Sequence, residues 1–110
     1  MAYDETLAER IRQALARRKN VGEKKMFGGV GFLLNGNLLV GVRKHSLLVR
    51  IGPQESNEAL EEAHVSEFKM TGRGSMKGWV VVGLAGVESD EQLSDWIKRA
   101  VRFVATLPAK

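Results

Sequence analysis

The sequence predicts a single α+β domain built around a largely antiparallel sheet. Apolar residues recur at helical spacing near both ends of the chain, and the middle holds β-rich runs separated by turn sequences. The predicted order is α-β-β-β-α-β-β-α, and strands grouped by hairpins are typical of α+β proteins. A chain of 110 residues with 44% hydrophobic content predicts one domain, residues 1–110, with a core that needs no disulfide.

Three helices are predicted from apolar stripes and capping residues. Residues 4–19 place five apolar side chains on one face, and the cations at 17–19 fall in the last turn, where they favour the helix dipole. A short surface helix is expected from Pro53, which is suited to a helix start. Ser89 and Gln92 have the spacing of a capping box, which predicts the start of a last helix that ends before Pro108.

The strands are predicted between these helices. Runs at 25–34 and 38–43 flank the sequence Asn-Gly-Asn, which tolerates the positive φ angles of a tight hairpin. A third strand at 47–51 ends at Gly-Pro, and two more are expected at 65–70 and 79–84. The connection "TGRGSMKG", residues 71–78, is predicted as a strand connection. An anion contact there stays an alternative, although its spacing fits neither a P-loop nor a dinucleotide fingerprint.

The stretch "KKMFGGVGF", residues 24–32, raises the question of an anion cradle. It precedes a hairpin rather than a helix, so it lacks the converging amides that such cradles use. Glycines in a strand mark bends or the close approach of another backbone. We therefore expect Gly28, Gly29 and Gly31 to let the strand bend or to let a helix lie tightly across it.

The residue types that carry catalysis or bind metals form no recognisable pattern. The chain has no cysteine, and His45 and His64 lack partners at metal-ligand spacing. No serine lies in a nucleophile elbow, and no acid–base pair stands out. We predict a protein that is not an enzyme and has no cofactor or metal. The absence of cysteine and of any long apolar run leads us to expect a cytoplasmic protein without a membrane segment.

Basic residues support a second hypothesis, direct binding of nucleic acid. Residues 1–52 carry ten Lys/Arg against four Asp/Glu, so phosphate would be attracted to this half. Against it, we expect Phe32, Trp79, Trp96 and Phe103 in or near the core, which leaves no visible stacking platform. The basic residues expected at strand ends or loops, where a partner or nucleic acid would contact them, are Lys24, Lys25, Arg43, Lys44, Arg73 and Lys77.

The segment "KKMFGGVGFLLNGNLLVGV" after an amphipathic helix resembles the N-terminal domain of the TfoX/Sxy family. The signature residues are Lys25, Met26, Phe27, Gly28 and Gly29. The resemblance covers nearly the whole chain and implies a compact α+β fold similar to type III secretion chaperones. Founding members regulate natural competence with the cyclic-AMP receptor protein and carry a second, helical C-terminal domain. We expect a stand-alone N-terminal domain here, and the resemblance supplies no catalytic residue or cofactor.

The function predicted from these observations is a cytoplasmic, non-enzymatic regulatory module of the TfoX N-terminal type, linked to transcription or to competence regulation. It would act through a protein partner or as a homodimer, using the apolar face of the first helix and an unpaired strand edge. Nucleic-acid binding by the basic residues is the alternative. A weaker alternative is a small-ligand pocket between the glycines of 28–31 and the last helix.

Overall fold

The computed structural model describes residues 3–26, 28–70 and 74–110, which form three α-helices and one sheet. The helices are α1 (Glu5–Ala14), α2 (Pro53–Ala59) and α3 (Asp90–Val104), and a 3-10 turn covers Leu84–Gly86. The strands are β1 (Val21–Met26), β2 (Gly29–Leu34), β3 (Asn37–Val42), β4 (Ser46–Arg50), β5 (Val65–Met70) and β6 (Gly74–Gly83).

The described strands make one antiparallel sheet with the order β1-β2-β3-β4-β6-β5. Strands β1 to β4 form a meander, and the β5–β6 hairpin joins it through β6, so β1 and β5 are the two edges. The predicted α+β class with an antiparallel sheet is confirmed. The hairpin predicted at Asn-Gly-Asn is confirmed as well, because Asn35 and Gly36 have the positive φ of a tight turn. The turn is one residue shorter than predicted, since β3 begins at Asn37.

One face of the sheet carries the hydrophobic core. Buried residues of all three helices, such as Ile11, Ala59 and Ile97, join side chains from the central strands in a single cluster. The register explains which strand residues take part: Phe32 lies opposite Val40, and alternation sends Gly31, Leu33 and Gly41 to the other face. The register shifts between Phe32 and Leu33, and Leu39 joins its neighbour Val40 in the core. We call the side that packs against the helices the helix face.

The stretch predicted as one strand over 25–34 is two strands. β1 ends at Met26 and β2 begins at Gly29, and the two pair with each other. Gly28 has a φ of +74°, a conformation that glycine adopts without the steric cost of a Cβ. Where a bend within one strand was predicted, the chain therefore reverses direction at Gly28.

Strand β6 is longer than predicted, because it begins at Gly74 instead of at residue 79. Its first residues pair with β5, where Met70 lies opposite Gly74 and Lys69 lies opposite Ser75. Pairing with a neighbour thus overrides the low β-propensity of a glycine-rich segment. Residues 71–73 lie outside the described part of the chain, and with them the remainder of the predicted connection.

Helix α1 is shorter than predicted, and this changes the role of three cations. It ends at Ala14, and Asn20 takes a φ of +64° before β1 begins. The cations at 17–19 therefore follow the helix instead of occupying its last turn. The other helix predictions are confirmed: Pro53 opens α2, and Ser89 forms a capping box with Gln92 at the start of α3.

Candidate binding face of the sheet

The face opposite the helices is apolar and is not covered by any described helix. Leu48 is only 5% exposed, yet it does not belong to the helix-side core. The alternation of side chains places several further residues beside it. We call this surface the open face; its residues are Lys24, Met26, Gly31, Leu33, Leu38, Gly41, Arg43, Leu48, Arg50, Phe68, Trp79 and Val81.

Two arginines and two aromatic rings form a continuous row on the open face. The guanidinium carbon of Arg43 lies 5.6 Å from the centroid of the Phe68 ring, and the ring centroids of Phe68 and Trp79 are 6.2 Å apart. The guanidinium carbon of Arg50 lies 5.0 Å from the Trp79 centroid. We call these four residues the Arg–aromatic row. Such contacts stabilise the surface by cation–π attraction while both rings stay partly exposed.

Strand pairing explains how this row is assembled. Arg50 and Trp79 are direct partners across the β4–β6 pair, so their side chains leave the sheet on the same side. Phe68 lies where the β5–β6 register shifts, between Glu67 and Lys69. Arg43 belongs to the turn between β3 and β4 and reaches the row only through its long side chain.

The arginines of the row have no carboxylate partner among the described residues. Other arginines do: Arg12 pairs with Glu23, and Arg99 pairs with Glu62. Partial burial of Arg50 lowers the pKa of its guanidinium, because desolvation disfavours the charged form. The row therefore places cationic charge against aromatic rings without neutralising it.

Four of the predicted basic contact residues gather at one end of the sheet. Lys25 lies opposite Val30, which in turn lies opposite Val42, so the end of β1 and the turn after β3 are neighbours. Lys24, Lys25, Arg43 and Lys44 are all exposed there. Their positions agree with the sequence expectation that these basic residues lie at strand ends or in loops.

The other two predicted contact residues do not join this group. Lys77 is exposed on β6 beside Gly78, near the end of the sheet where Arg50 lies. Arg73 lies outside the described residues. The basic cluster in the described chain thus consists of the residues at the β1–β2 and β3–β4 turns.

The signature residues that the structure describes lie at the turn of the first hairpin, where they shape its backbone. Lys25 and Met26 end β1, Gly28 makes the turn, and Phe27 lies outside the described residues. A Cβ on Gly29 would lie well inside contact distance of the Val42 carbonyl oxygen. Close approach of a neighbouring strand therefore requires glycine at this position.

The glycines of this hairpin do not point toward α3. A Cβ on Gly31 would meet the side chains of Leu38 and Met26, at 2.7 and 3.1 Å, on the open face. Of the two predicted roles for these glycines, a helix lying tightly across them is therefore wrong. The geometry also does not favour the predicted ligand pocket between these glycines and the last helix. The apolar face of α1 is also engaged, since Leu7 and Ile11 are buried in the core.

Sequence reasoning missed Arg50, Phe68 and Trp79 as members of a site. Trp79 was expected in or near the core, but it is half-buried on the open face and lies outside the core cluster. The expectation holds for Phe32 and Trp96, which are buried, and for Phe103, which packs against the core. One signal was available: in "GWVVVG", strict alternation assigns Trp79 and Val81 to the face opposite Val80 and Val82.

Comparison with known proteins adds the family. The TfoX N-terminal domain matches residues 13–104, which is most of the chain. The chain belongs to the TfoX N-terminal domain family. The predicted resemblance is thereby confirmed, and the match includes every residue of the Arg–aromatic row. A search of curated proteins found no match.

Two further properties concern the described residues only. None of their helices is long and apolar enough to cross a membrane. Their His, Asp and Glu side chains form no group of three that would hold a metal ion. His45 lies in the turn after β3, and His64 precedes β5.

Proposed function

We propose that this TfoX N-terminal domain is a non-enzymatic regulatory module, linked to transcription, that binds a macromolecular partner on its open face. The observation that carries the proposal is the Arg–aromatic row on a sheet face that the helices leave uncovered. Trp and Arg are enriched in the residues that dominate binding energy at interfaces. Family membership supports the regulatory part, since the founding members regulate competence genes.

The open face suits a partner better than the two surfaces that the sequence favoured. The apolar face of α1 is used inside the domain. The β1 edge carries Lys24 and Lys25, and Arg12 holds Glu23 through two hydrogen bonds. Charged side chains on an edge strand discourage pairing with another chain. Of these three surfaces, the open face is therefore the most favourable for a partner, because it is neither buried inside the domain nor an edge protected by charge.

A transcript profile in the native host tests the regulatory role. The cells would carry the unaltered gene, a deletion, the double variant Phe68→Ala and Trp79→Ala, or the control Lys98→Gln on the exposed side of α3. We expect the double variant to reproduce the profile of the deletion and the control to match the unaltered gene. A double variant that is folded, present at normal level and fully active would refute a role for the open face.

A homodimer over the open face is the form of protein partner that can be tested without knowing the partner. Sedimentation of the purified domain over a wide concentration range measures its mass. A mass that rises with concentration in the unaltered protein and stays monomeric in the double variant would assign the face to a second copy. We expect the monomer mass throughout, because the unpaired cations of the row would then face one another.

A further inference from the structure

The charge on the open face and at its turn end is unbalanced within the described chain. Arg43, Arg50, Lys24 and Lys44 have no carboxylate within ion-pair distance there, whereas ion pairs on the helix side involve Arg10, Arg12, Arg99 and Arg102. Unpaired cations beside one surface raise the local concentration of anions. The molecule that binds this surface is therefore expected to be an anion.

The rings on the same surface give the occupant a second property. Phe68 and Trp79 are partly exposed, and each has a guanidinium over it. Nucleobases stack on aromatic rings and on guanidinium planes in proteins that bind single strands. An anion that also carries planar rings would contact both the arginines and the aromatic rings of the Arg–aromatic row.

The register of the sheet provides a path across this surface. Lys24 lies opposite Gly31, Gly31 opposite Gly41, Gly41 opposite Leu48, and Leu48 opposite Val81. These positions make one line that starts at a cation and continues over an apolar floor, to which Met26 and Leu38 contribute above Gly31. With strands about 4.8 Å apart, the five positions span roughly 19 Å, which suits a segment of a few nucleotides.

From this arrangement we infer that the open face binds single-stranded nucleic acid, with bases on the Arg–aromatic row and phosphates at Lys24 and Lys44. The inference rests on the proposed function and names the class of its partner. A duplex hides the faces of its bases, so it would leave the rings unused and bind only through its phosphates. Ring contacts therefore distinguish the single strand from a duplex.

Fluorescence anisotropy with labelled oligonucleotides of about 15 nucleotides tests the inference. The probes are single-stranded DNA, RNA of the same sequence, and the duplex DNA, each at about 50 and about 200 mM salt. We expect the single strands to bind more tightly than the duplex, and binding to weaken at the higher salt concentration. Trp79→Ala should weaken single-strand binding about tenfold, because one base loses the ring on which it stacks.

Matched variants separate stacking from charge and from loss of fold. Lys98→Gln removes one charge far from the face and should leave affinity unchanged, whereas Lys44→Gln should weaken it and reduce its salt dependence. Trp79→Phe keeps a ring, so its affinity should stay within a few-fold of that of the unaltered protein. A base that stacks on Trp79 should also quench the tryptophan fluorescence of the unaltered protein, and this quenching should disappear in Trp79→Phe. Circular dichroism confirms that each variant is folded.

Three results would overturn the inference. One is the absence of single-strand binding at the lower salt concentration. Another is equal affinity for single strand and duplex with no effect of Trp79→Ala, which would indicate phosphate contacts alone. The last is ring-dependent binding of poly-glutamate without binding of any oligonucleotide, which would assign the face to an acidic protein segment. The proposed function fails separately, if the double variant leaves the transcript profile unchanged.

Discussion

The guanidinium carbon of Arg50 lies 5.0 Å from the centroid of the Trp79 ring, across the paired strands β4 and β6. The same guanidinium carbon is 5.9 Å from the centroid of the Phe103 ring on α3. Arg50 is the last residue of β4, so it lies at the edge of the open face, where it also contacts a helix. Arg50 is thus held by aromatic rings and has no carboxylate partner in the described chain. An arginine held in this way keeps its N–H donors available for an anion.

A double-mutant cycle measures the Arg50–Trp79 contact. The variants are Arg50→Ala, Trp79→Ala and the pair, and urea unfolding gives the free energy of unfolding of each. We expect a coupling of about 0.5–1 kcal/mol, the range for partly exposed cation–π contacts. The control cycle combines Lys98→Ala with Trp79→Ala, which do not touch; a coupling no larger than this control would contradict the contact.

Replacement of Gly29 by alanine tests the close approach at the first hairpin. The new Cβ would collide with the Val42 carbonyl oxygen, which belongs to backbone and cannot rotate away. We expect the free energy of unfolding to fall by about 1–3 kcal/mol, the range for overpacking, and Gly29→Val to cost more.

Gly22→Ala is the matched control for this change. A Cβ on Gly22 meets nothing within 4 Å, and its φ lies outside the left-handed region. The substitution should be neutral or stabilising by up to about 1 kcal/mol, because alanine restricts the unfolded chain. Equal losses at both glycines in thermal or urea unfolding would show that β-propensity, and not close approach, explains the requirement for glycine.

Ser89→Ala tests the capping box of α3. The Ser89 hydroxyl accepts a hydrogen bond from the backbone N–H of Gln92 at 3.0 Å, and the Gln92 side chain accepts one from the N–H of Ser89. Loss of such a cap costs about 1 kcal/mol of unfolding free energy. Ser94→Ala, inside the same helix, should change stability much less. A similar effect for the two serines would argue against the cap.

Acid should weaken the contact between α1 and the β1 edge. Hydrogen bonding by Arg12 lowers the pKa of Glu23, and hydrogen bonds from Gln13 and then Arg12 lower the pKa of Glu9. A folded-state pKa below the ordinary value of 4.5 means that this stabilisation is present at neutral pH and is lost as the pH falls through the lowered value.

The variant Arg12→Gln isolates this effect. Urea midpoints at about pH 7 and about pH 3.5 should differ less in Arg12→Gln than in the unaltered domain. Arg18→Gln is the control, since Arg18 is exposed and has no carboxylate partner in the described chain. An acid-induced loss that is equal in all three proteins would exclude the Arg12 pairs as its source.

Local patterns predicted most elements because their causes are local. The Asn35–Gly36 turn needs only residues that tolerate positive φ, and the Ser89–Gln92 box needs only two side chains at fixed spacing. The division of residues 25–34 at Gly28 was not predicted. A Gly-Gly pair in an apolar run permits a bend as well as a reversal, and only the pairing of β1 with β2 selects the reversal.

The candidate site was predicted in part. Four of the six basic contact residues, Lys24, Lys25, Arg43 and Lys44, lie together at one sheet end. The aromatic part was missed because a tryptophan in a β-rich run can face either side of a sheet. Which side the helices cover depends on packing that no short segment contains.

By itself, the sequence determined the α+β class, the family, the helix and hairpin signals and the excess of cations, because each depends on composition or on residues close together along the chain. Tertiary structure alone decided that Arg43, Phe68, Trp79 and Arg50 share one uncovered face. These residues come from three strands and a turn, and the order β3-β4-β6-β5 brings them together through pairing across long stretches of chain. The physical reason is the period-two alternation of a sheet, which sends every second side chain to the face that the helices leave free.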